Sequence, residues 1–289
     1  MKARFALTFV LMMFGLGVAG YLVMQNILVP IPLSDGQALY VNAKPDSGED
    51  TARLEALLPE GPKLEAFLAT QSGLPLIEKA ADGSWAGLLA AGLQGTRSER
   101  RWLVTVRTDW PMQDGSVLDA QKVATALGPE AQRLGGEVRI LDPGTVEFRF
   151  KTRQEDLPDQ LAQWRVPGTG PFIRQGHTLI RFDGFAFGPA GFAALTIVTD
   201  PAFLESHAWS QGLAARRWAW AAFPATVASG DMAKVRMAPY DELRLKDGTV
   251  WFLSRRLRRF RPNPGDWTRT RIFGAWKGSM DLPYDPLGM

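Results

Sequence analysis

Residues 102–123 read WLVTVRTDWPMQDGSVLDAQKV, and their pattern sets the fold class. From Trp102 to Arg107 the side chains alternate and are rich in β-branched types, the mark of a half-buried strand. Asp114-Gly115 reads as a tight turn, with glycine accepting the positive φ that such turns need. Asp119 then offers its carboxylate to the free N–H groups of a helix predicted over Ala120 to Leu127, and Gly128-Pro129 reads as its stop.

Elements of both kinds continue on either side. Downstream, Val138–Leu141 and Thr145–Phe150 read as a hairpin around Asp142-Pro143-Gly144, and Leu157–Gln163 as a short helix. Gly168-Thr169-Gly170-Pro171 is a rigid turn. Thr178–Phe182 and Ala194–Thr199 read as strands, and Phe203–Gly212 as a helix. Upstream, Leu64–Thr70 reads as a short helix, Asp82-Gly83 as a turn, and Leu74–Ile77 and Trp85–Leu93 as apolar runs. Strands and helices mix without a βαβ period, so the expected class is α+β (mixed α/β) and not a doubly wound sheet.

Composition narrows the function. The chain has 289 residues, 46% of them hydrophobic, 22% charged, and no cysteine. That excludes disulfides, thiolate metal sites and a cysteine nucleophile. The two histidines, His177 and His207, do not make a multi-histidine metal site, and no cofactor is expected. The net charge of +3 is far from that of a dedicated nucleic-acid binder, so no nucleic-acid partner is expected. There is no nucleophile elbow, HExxH or P-loop, and the adjacent acids Glu155-Asp156 and Asp241-Glu242 read as solvated faces; an enzyme is not expected.

Taken in order, four pieces resemble one family. They are Asp82-Gly83-Ser84 with Gly87-Leu88-Leu89-Ala90; Trp102–Arg107 with Trp110–Val123; Leu141–Phe150; and Pro167-Gly168-Thr169-Gly170-Pro171-Phe172. A weaker fifth piece is Leu195–Val198 followed by Gln211-Gly212-Leu213. The set is similar to the peptide- and nickel-type extracellular solute-binding proteins (family 5) of ABC importers, over about Leu74 to Phe223. The departures are Trp110 and Met112, Gln121 in place of the usual acid, and Arg216 where the last piece should close on an acid. The resemblance implies a single-lobe periplasmic-binding-protein-like domain, about half of the family's two closing lobes. It implies a peptide or small-molecule ligand and an ABC permease partner.

The N-terminus carries a membrane signal. Lys2 and Arg4 precede an uncharged run from Phe5 to Val29, long enough to span a hydrocarbon core of about 30 Å. Two readings stand: an uncleaved anchor, or a signal peptide cut after Val18-Ala19-Gly20, before Tyr21. Both export the rest of the chain, so the expected location is the periplasmic side of a bacterial cytoplasmic membrane. The expected organisation is 1–29 signal anchor or signal peptide, 30–62 tether, 63–240 solute-binding-protein-like domain, and 241–289 a basic aromatic segment. Within the tether, Thr51–Leu58 reads as a short helix; a first strand of the domain at Ala38–Val41 is the alternative.

Candidate binding residues follow from the turn and from clustered aromatics. Thr169 and Phe172 lie at the expected cleft. Trp209, Trp218 and Trp220 flank Arg216, a set able to cradle a peptide through stacking and cation–π contacts. Core packing of one strand face by Trp218 and Trp220 is the competing reading. Arg255, Arg256, Arg258, Arg259 and Arg261 interleave with aromatics. They read either as the wet face of a strand pair or as a surface that docks on anionic lipid or a partner. Two functions therefore compete: a membrane-anchored solute-binding domain for ABC-type uptake, and a degenerate single-lobe scaffold acting as a membrane-tethered interaction module.

Overall fold

The alternating run at Trp102 forms a strand because one of its faces joins the hydrophobic core. In the computed structural model, residues 18–19, 21, 23–36, 53–80, 82–188, 192–199, 218–224, 240–246 and 249–254 are described. Strand β8 (Arg101–Val106) lies third in a five-stranded antiparallel sheet of order β1-β7-β8-β10-β9. Its partners are β1 (Leu28–Ile31), β7 (Ala90–Thr96), β9 (Gly136–Asp142) and β10 (Thr145–Phe150). Trp102, Val104 and Val106 are buried. The expected hairpin is β9–β10, and the Gly144 N–H donates to the Asp142 carboxylate at 2.8 Å to close its turn.

Helix α1 (Pro62–Ser72) buries Leu64, Phe67, Leu68 and Gln71, an i, i+3, i+4, i+7 stripe. Helix α2 (Ala120–Arg133) packs on β9 and β10, with Ala120, Val123, Leu127 and Ala131 buried along one face. The Lys122 N–H donates to the Asp119 carboxylate at 2.8 Å, so the predicted cap forms. The predicted stop at Gly128-Pro129 does not. Pro129 forfeits the one bond that its missing N–H would make, while Ala131 continues the buried stripe. The helix ends instead where Gly135 turns left-handed at φ 74°. Helix α3 (Leu157–Leu161) covers β5 (Ile77–Lys79).

A seven-stranded mixed sheet carries the rest, in the order β12-β13-β14-β3-β15-β17-β16. It comprises β3 (Arg53–Leu57), β12 (Phe172–Gln175), β13 (Thr178–Arg181), β14 (Ala194–Val198), β15 (Trp218–Pro224), β16 (Tyr240–Arg244) and β17 (Thr249–Ser254). Two small sheets complete the described fold: β2 (Leu33–Asp35) and β5 on either side of β6 (Trp85–Gly87), and β4 (Gly73–Leu74) with β11 (Val166–Pro167).

Two expectations change. The helix expected over Thr51–Leu58 is strand β3, and it sits at the centre of the seven-stranded sheet. Leu54, Ala56, Leu57 and Leu58 are buried there, because parallel neighbours on both sides saturate the backbone of a short apolar run. The range expected to be a tether, 30–62, thus supplies half of β1 and all of β2 and β3 to three separate sheets. The breakers that marked it as a spacer connect short strands instead. The alternative strand at Ala38–Val41 lies outside the described residues. Of the apolar N-terminal run, residues 23–25 are helical and lead into β1; among the described residues no helix is long and apolar enough to cross a membrane.

Candidate ligand-binding edge and the junction behind it

Strand β3 is the first strand of its sheet in the chain, and its two neighbours come much later. Strand β14 pairs with it in parallel on one side and β15 in parallel on the other. The chain order therefore reverses direction at β3. In open sheets with parallel strands, such a switch point leaves a crevice outside the carboxyl ends of the strands, where ligands bind. Here that edge comprises Leu57–Glu60, Val198–Thr199 and the end of β15. The Leu58 N–H donates to the Val198 carbonyl at 3.1 Å and holds two of the three ends together. Pro59 and Glu60 are exposed just beyond it.

Trp218 and Trp220 lie on β15. Trp218 stands opposite Glu55 and Trp220 opposite Ala56, with a register shift between them. A shift of that kind sets two residues of one strand against one of its partner, so simple i, i+2 alternation does not carry across it. Trp209, Arg216, Arg255, Arg256, Arg258, Arg259 and Arg261 lie outside the described residues, as does the helix expected at Phe203–Gly212.

Thr169 and Phe172 lie in the interior. Both are fully buried. The Thr169 hydroxyl donates to the Val166 carbonyl at 2.6 Å and accepts the Leu74 N–H at 2.9 Å. Phe172 stacks on Phe192 with ring centroids 5.0 Å apart. Both side chains are engaged in packing, the role a rigid turn also implies, because the turn that carries them is clasped from three directions. The Trp110 indole N–H donates to the Thr169 carbonyl at 3.1 Å, and its ring meets Phe187 edge-on at 4.9 Å. The Gln113 amide donates to the carbonyls of Phe172 at 2.7 Å and Gly170 at 2.9 Å, and reaches that of Ser72 at 3.3 Å. At Gly170 a Cβ would stand 2.6 Å from the Ser72 carbonyl carbon and 2.7 Å from the Gln71 oxygen, so only glycine fits.

Sequence reasoning passed over Gln113. It reads as one more polar loop residue, and nothing local predicts that its amide closes a junction about sixty residues away in the chain. The two Asp-Gly-Ser turns, at 82–84 and 114–116, share one geometry. The serine hydroxyl and N–H both donate to the aspartate and hold the Asp82 and Asp114 carboxyls below the usual range. Asp119 is lowered chiefly by the Lys122 N–H that it caps. These carboxylates shape turns and a helix end. Among the described residues no group of three or more His, Asp or Glu side chains is arranged to hold a metal.

No family model matches the chain, and no curated protein sequence matches it. Solved structures do. The chain is similar to the ABC transporter substrate-binding protein CtaP of Listeria monocytogenes, with TM-score 0.51 and 15% identity over 67% of this chain and 48% of that one. It is similar to the oligopeptide-binding protein AppA of Bacillus subtilis, solved with a nonapeptide, with TM-score 0.54 and 15% identity over 68% and 48%. NikA of Brucella suis, solved with Fe(III)-EDTA, gives TM-score 0.52 and 17% identity over 66% and 48%. The fold is therefore that of the substrate-binding proteins of ABC transporters. The chain spans about half the length of these structures.

Proposed function

We propose that this protein is an exported, non-catalytic solute-binding domain of ABC-type uptake, held at the periplasmic face of the cytoplasmic membrane by the part of the apolar run from Phe5 that precedes β1. The similarity to peptide- and metal-chelate-binding proteins over two thirds of the chain is the observation that supports it. The ligand is a peptide or small solute, and an ABC permease is the partner. It binds at the carboxyl edge of β14, β3 and β15. Trp209, Arg216, Trp218 and Trp220 are the proposed contacts; Trp218 and Trp220 lead directly into Ala221, which pairs with Leu57 at that edge.

A thermal-shift assay on the full chain in mild detergent tests this, with a mixed peptide library, Ni(II) with histidine, and sugars as probes. A ligand present at a hundredfold over its Kd stabilises by about 2.7 kcal/mol, which raises Tm by about 5–11 °C for a domain of this size. A flat response to all three probes refutes uptake. It would favour a second reading, a membrane-tethered interaction module that keeps the scaffold without solute transport. The burial of Thr169 and Phe172 is the observation on that side, because two of the residues expected at the cleft are committed to packing.

A further inference from the structure

The described residues concentrate their exposed apolar side chains in one place. Val18, Tyr21, Val23, Met24, Ile27, Leu28 and Val29 are seven of the ten large hydrophobic residues that are exposed. The others, Val117, Ile140 and Leu141, are scattered over two further elements. A cluster of that size on a folded surface marks contact with a membrane or a partner. Its chain continuity favours the membrane, because it is the end of the uncharged run that starts at Phe5.

The fold places this run against one end of the five-stranded sheet. Leu28 pairs with Thr96 at the end of β7, and the Ser98 N–H donates to the Gln25 carbonyl at 3.2 Å. From Gln25 to Leu28 the chain spans three residues, so the apolar run meets the sheet within about 10 Å. The turn between β7 and β8 carries Arg97 and Arg100. The loop after β10 folds against it, with the Phe150 N–H on the Arg100 carbonyl at 2.8 Å and the Gln154 N–H on the Glu99 carbonyl at 3.0 Å. That loop brings Lys151 and Arg153.

The charge at this end divides cleanly. Glu147 is buried and is matched by Arg101 at 2.6 Å and Arg149 at 3.2 Å. Arg153 pairs with Glu99 at 2.7 Å and Glu155 at 3.0 Å. Arg97, Arg100 and Lys151 are exposed and make no ion pair among the described residues. These three cations thus share the end of the sheet where the apolar run enters, with Arg97 next to the β1 partner Thr96 and Lys151 three strands, about 14 Å, from β1. Cations so placed attract anionic headgroups, while a partner protein would have to cover both them and the apolar run at once.

We infer that this end of the sheet is a membrane-docking rim, in which Arg97, Arg100 and Lys151 bind the phosphate headgroups of anionic phospholipid. The inference rests on the proposed anchor, the part of the apolar run from Phe5 that precedes β1, which brings the rim to the bilayer surface. It fixes the domain's orientation, with the β7–β8 turn toward the membrane and the β9–β10 turn away from it.

The chain has no cysteine, so a single introduced one takes a label cleanly. The full chain is reconstituted into phosphatidylcholine vesicles with and without 30% phosphatidylglycerol, on the order used to probe surface charge. Fluorescent labels are placed at Thr152→Cys in the rim and at Val117→Cys near the far end. With phosphatidylglycerol at low salt, label 152 becomes shielded from an aqueous quencher and label 117 does not. The combined change Arg97→Gln, Arg100→Gln, Lys151→Gln weakens docking on the order of a hundredfold and removes the shielding, as does high salt. Equal quenching of both labels in the anionic vesicles overturns the rim. Alkaline carbonate extraction tests the anchor separately. Extractable protein with a shielded label 152 refutes the anchor and keeps the rim; resistant protein with an accessible label does the reverse.

Discussion

Gln113→Ala tests whether the junction behind the candidate site is a structural clasp. The amide makes two short bonds, to the carbonyls of Phe172 at 2.7 Å and Gly170 at 2.9 Å, and a longer one to Ser72 at 3.3 Å. Its two hydrogens serve the short bonds, with the third acceptor sharing. Truncation removes both donors and leaves part-buried carbonyls without replacement. A hydrogen bond contributes about 1 kcal/mol net, and an unsatisfied buried group costs about 1–3 kcal/mol, so the expected loss is about 3 kcal/mol. For a domain of this size that lowers Tm by about 6–12 °C. Differential scanning fluorimetry of the full chain in mild detergent reads it. Gln163→Ala is the matched control, because its amide donates to the Asp159 carbonyl within one exposed helical turn at 3.1 Å, and it should shift Tm by less than about 2 °C. Gln113→Glu should be worse near neutral pH, since an ionised carboxylate only accepts and would face three carbonyl oxygens. A Gln113→Ala shift no larger than the control's refutes the clasp.

Asp119→Asn keeps a capping side chain, so Tm at pH 7 should move by no more than about 1–2 °C. The folded Asp119 carboxyl titrates below its unfolded value, so its contribution is complete above about pH 4 and fades as pH falls through the folded value. The Asn variant should therefore lose less stability than the parent between about pH 4 and pH 2; parallel acid curves would refute that assignment. A chain starting at residue 63 lacks Leu54, Leu57 and Leu58, which at about 1.5–3 kcal/mol each amounts to much of a typical domain's stability of about 5–15 kcal/mol. It should show no cooperative unfolding transition, whereas a chain starting at Gln25 should; equal behaviour would restore the tether.

The stretch from Trp102 to Phe150 was legible because each element there is decided locally. Alternation makes β8 and β10, the Asp119 carboxylate starts α2, and Asp142 closes the hairpin turn. Strand β3 was not legible. Its five residues, RLEAL, lack β-branched side chains and favour helix by propensity. They become a strand because β14, about 140 residues later, and β15, later still, bond to both of its edges. Pro129 misled for a related reason: a proline rule is local, and the burial of Ala131 that overrides it is not. The candidate site shows the same division. The Gly168–Phe172 turn was visible as a rigid motif. That Thr169 spends its hydroxyl on Val166 and Leu74 depends on the β4–β11 pair, which no spacing reveals.

Helix α1 connects the turn to the strand edge. It starts at Gly61, just past the carboxyl end of β3, and ends at Ser72 in the junction, a span of about 16 Å for its eleven residues. The last carbonyls of a helix lack partners within it. Here the Ser72 carbonyl receives the N–H groups of Gly168 and Gly170, both at 3.1 Å, with the Gln113 amide beside them. The far end of α1 is therefore fixed by the glycine-rich turn, and its near end borders the carboxyl end of β3. A motif expected to touch ligand would in this arrangement serve it at a distance, by holding the helix that borders the crevice. The turn thus combines two glycines and a proline in a tight backbone path with a buried threonine and phenylalanine between and after them. The backbone of the turn holds the end of α1, and its side chains pack.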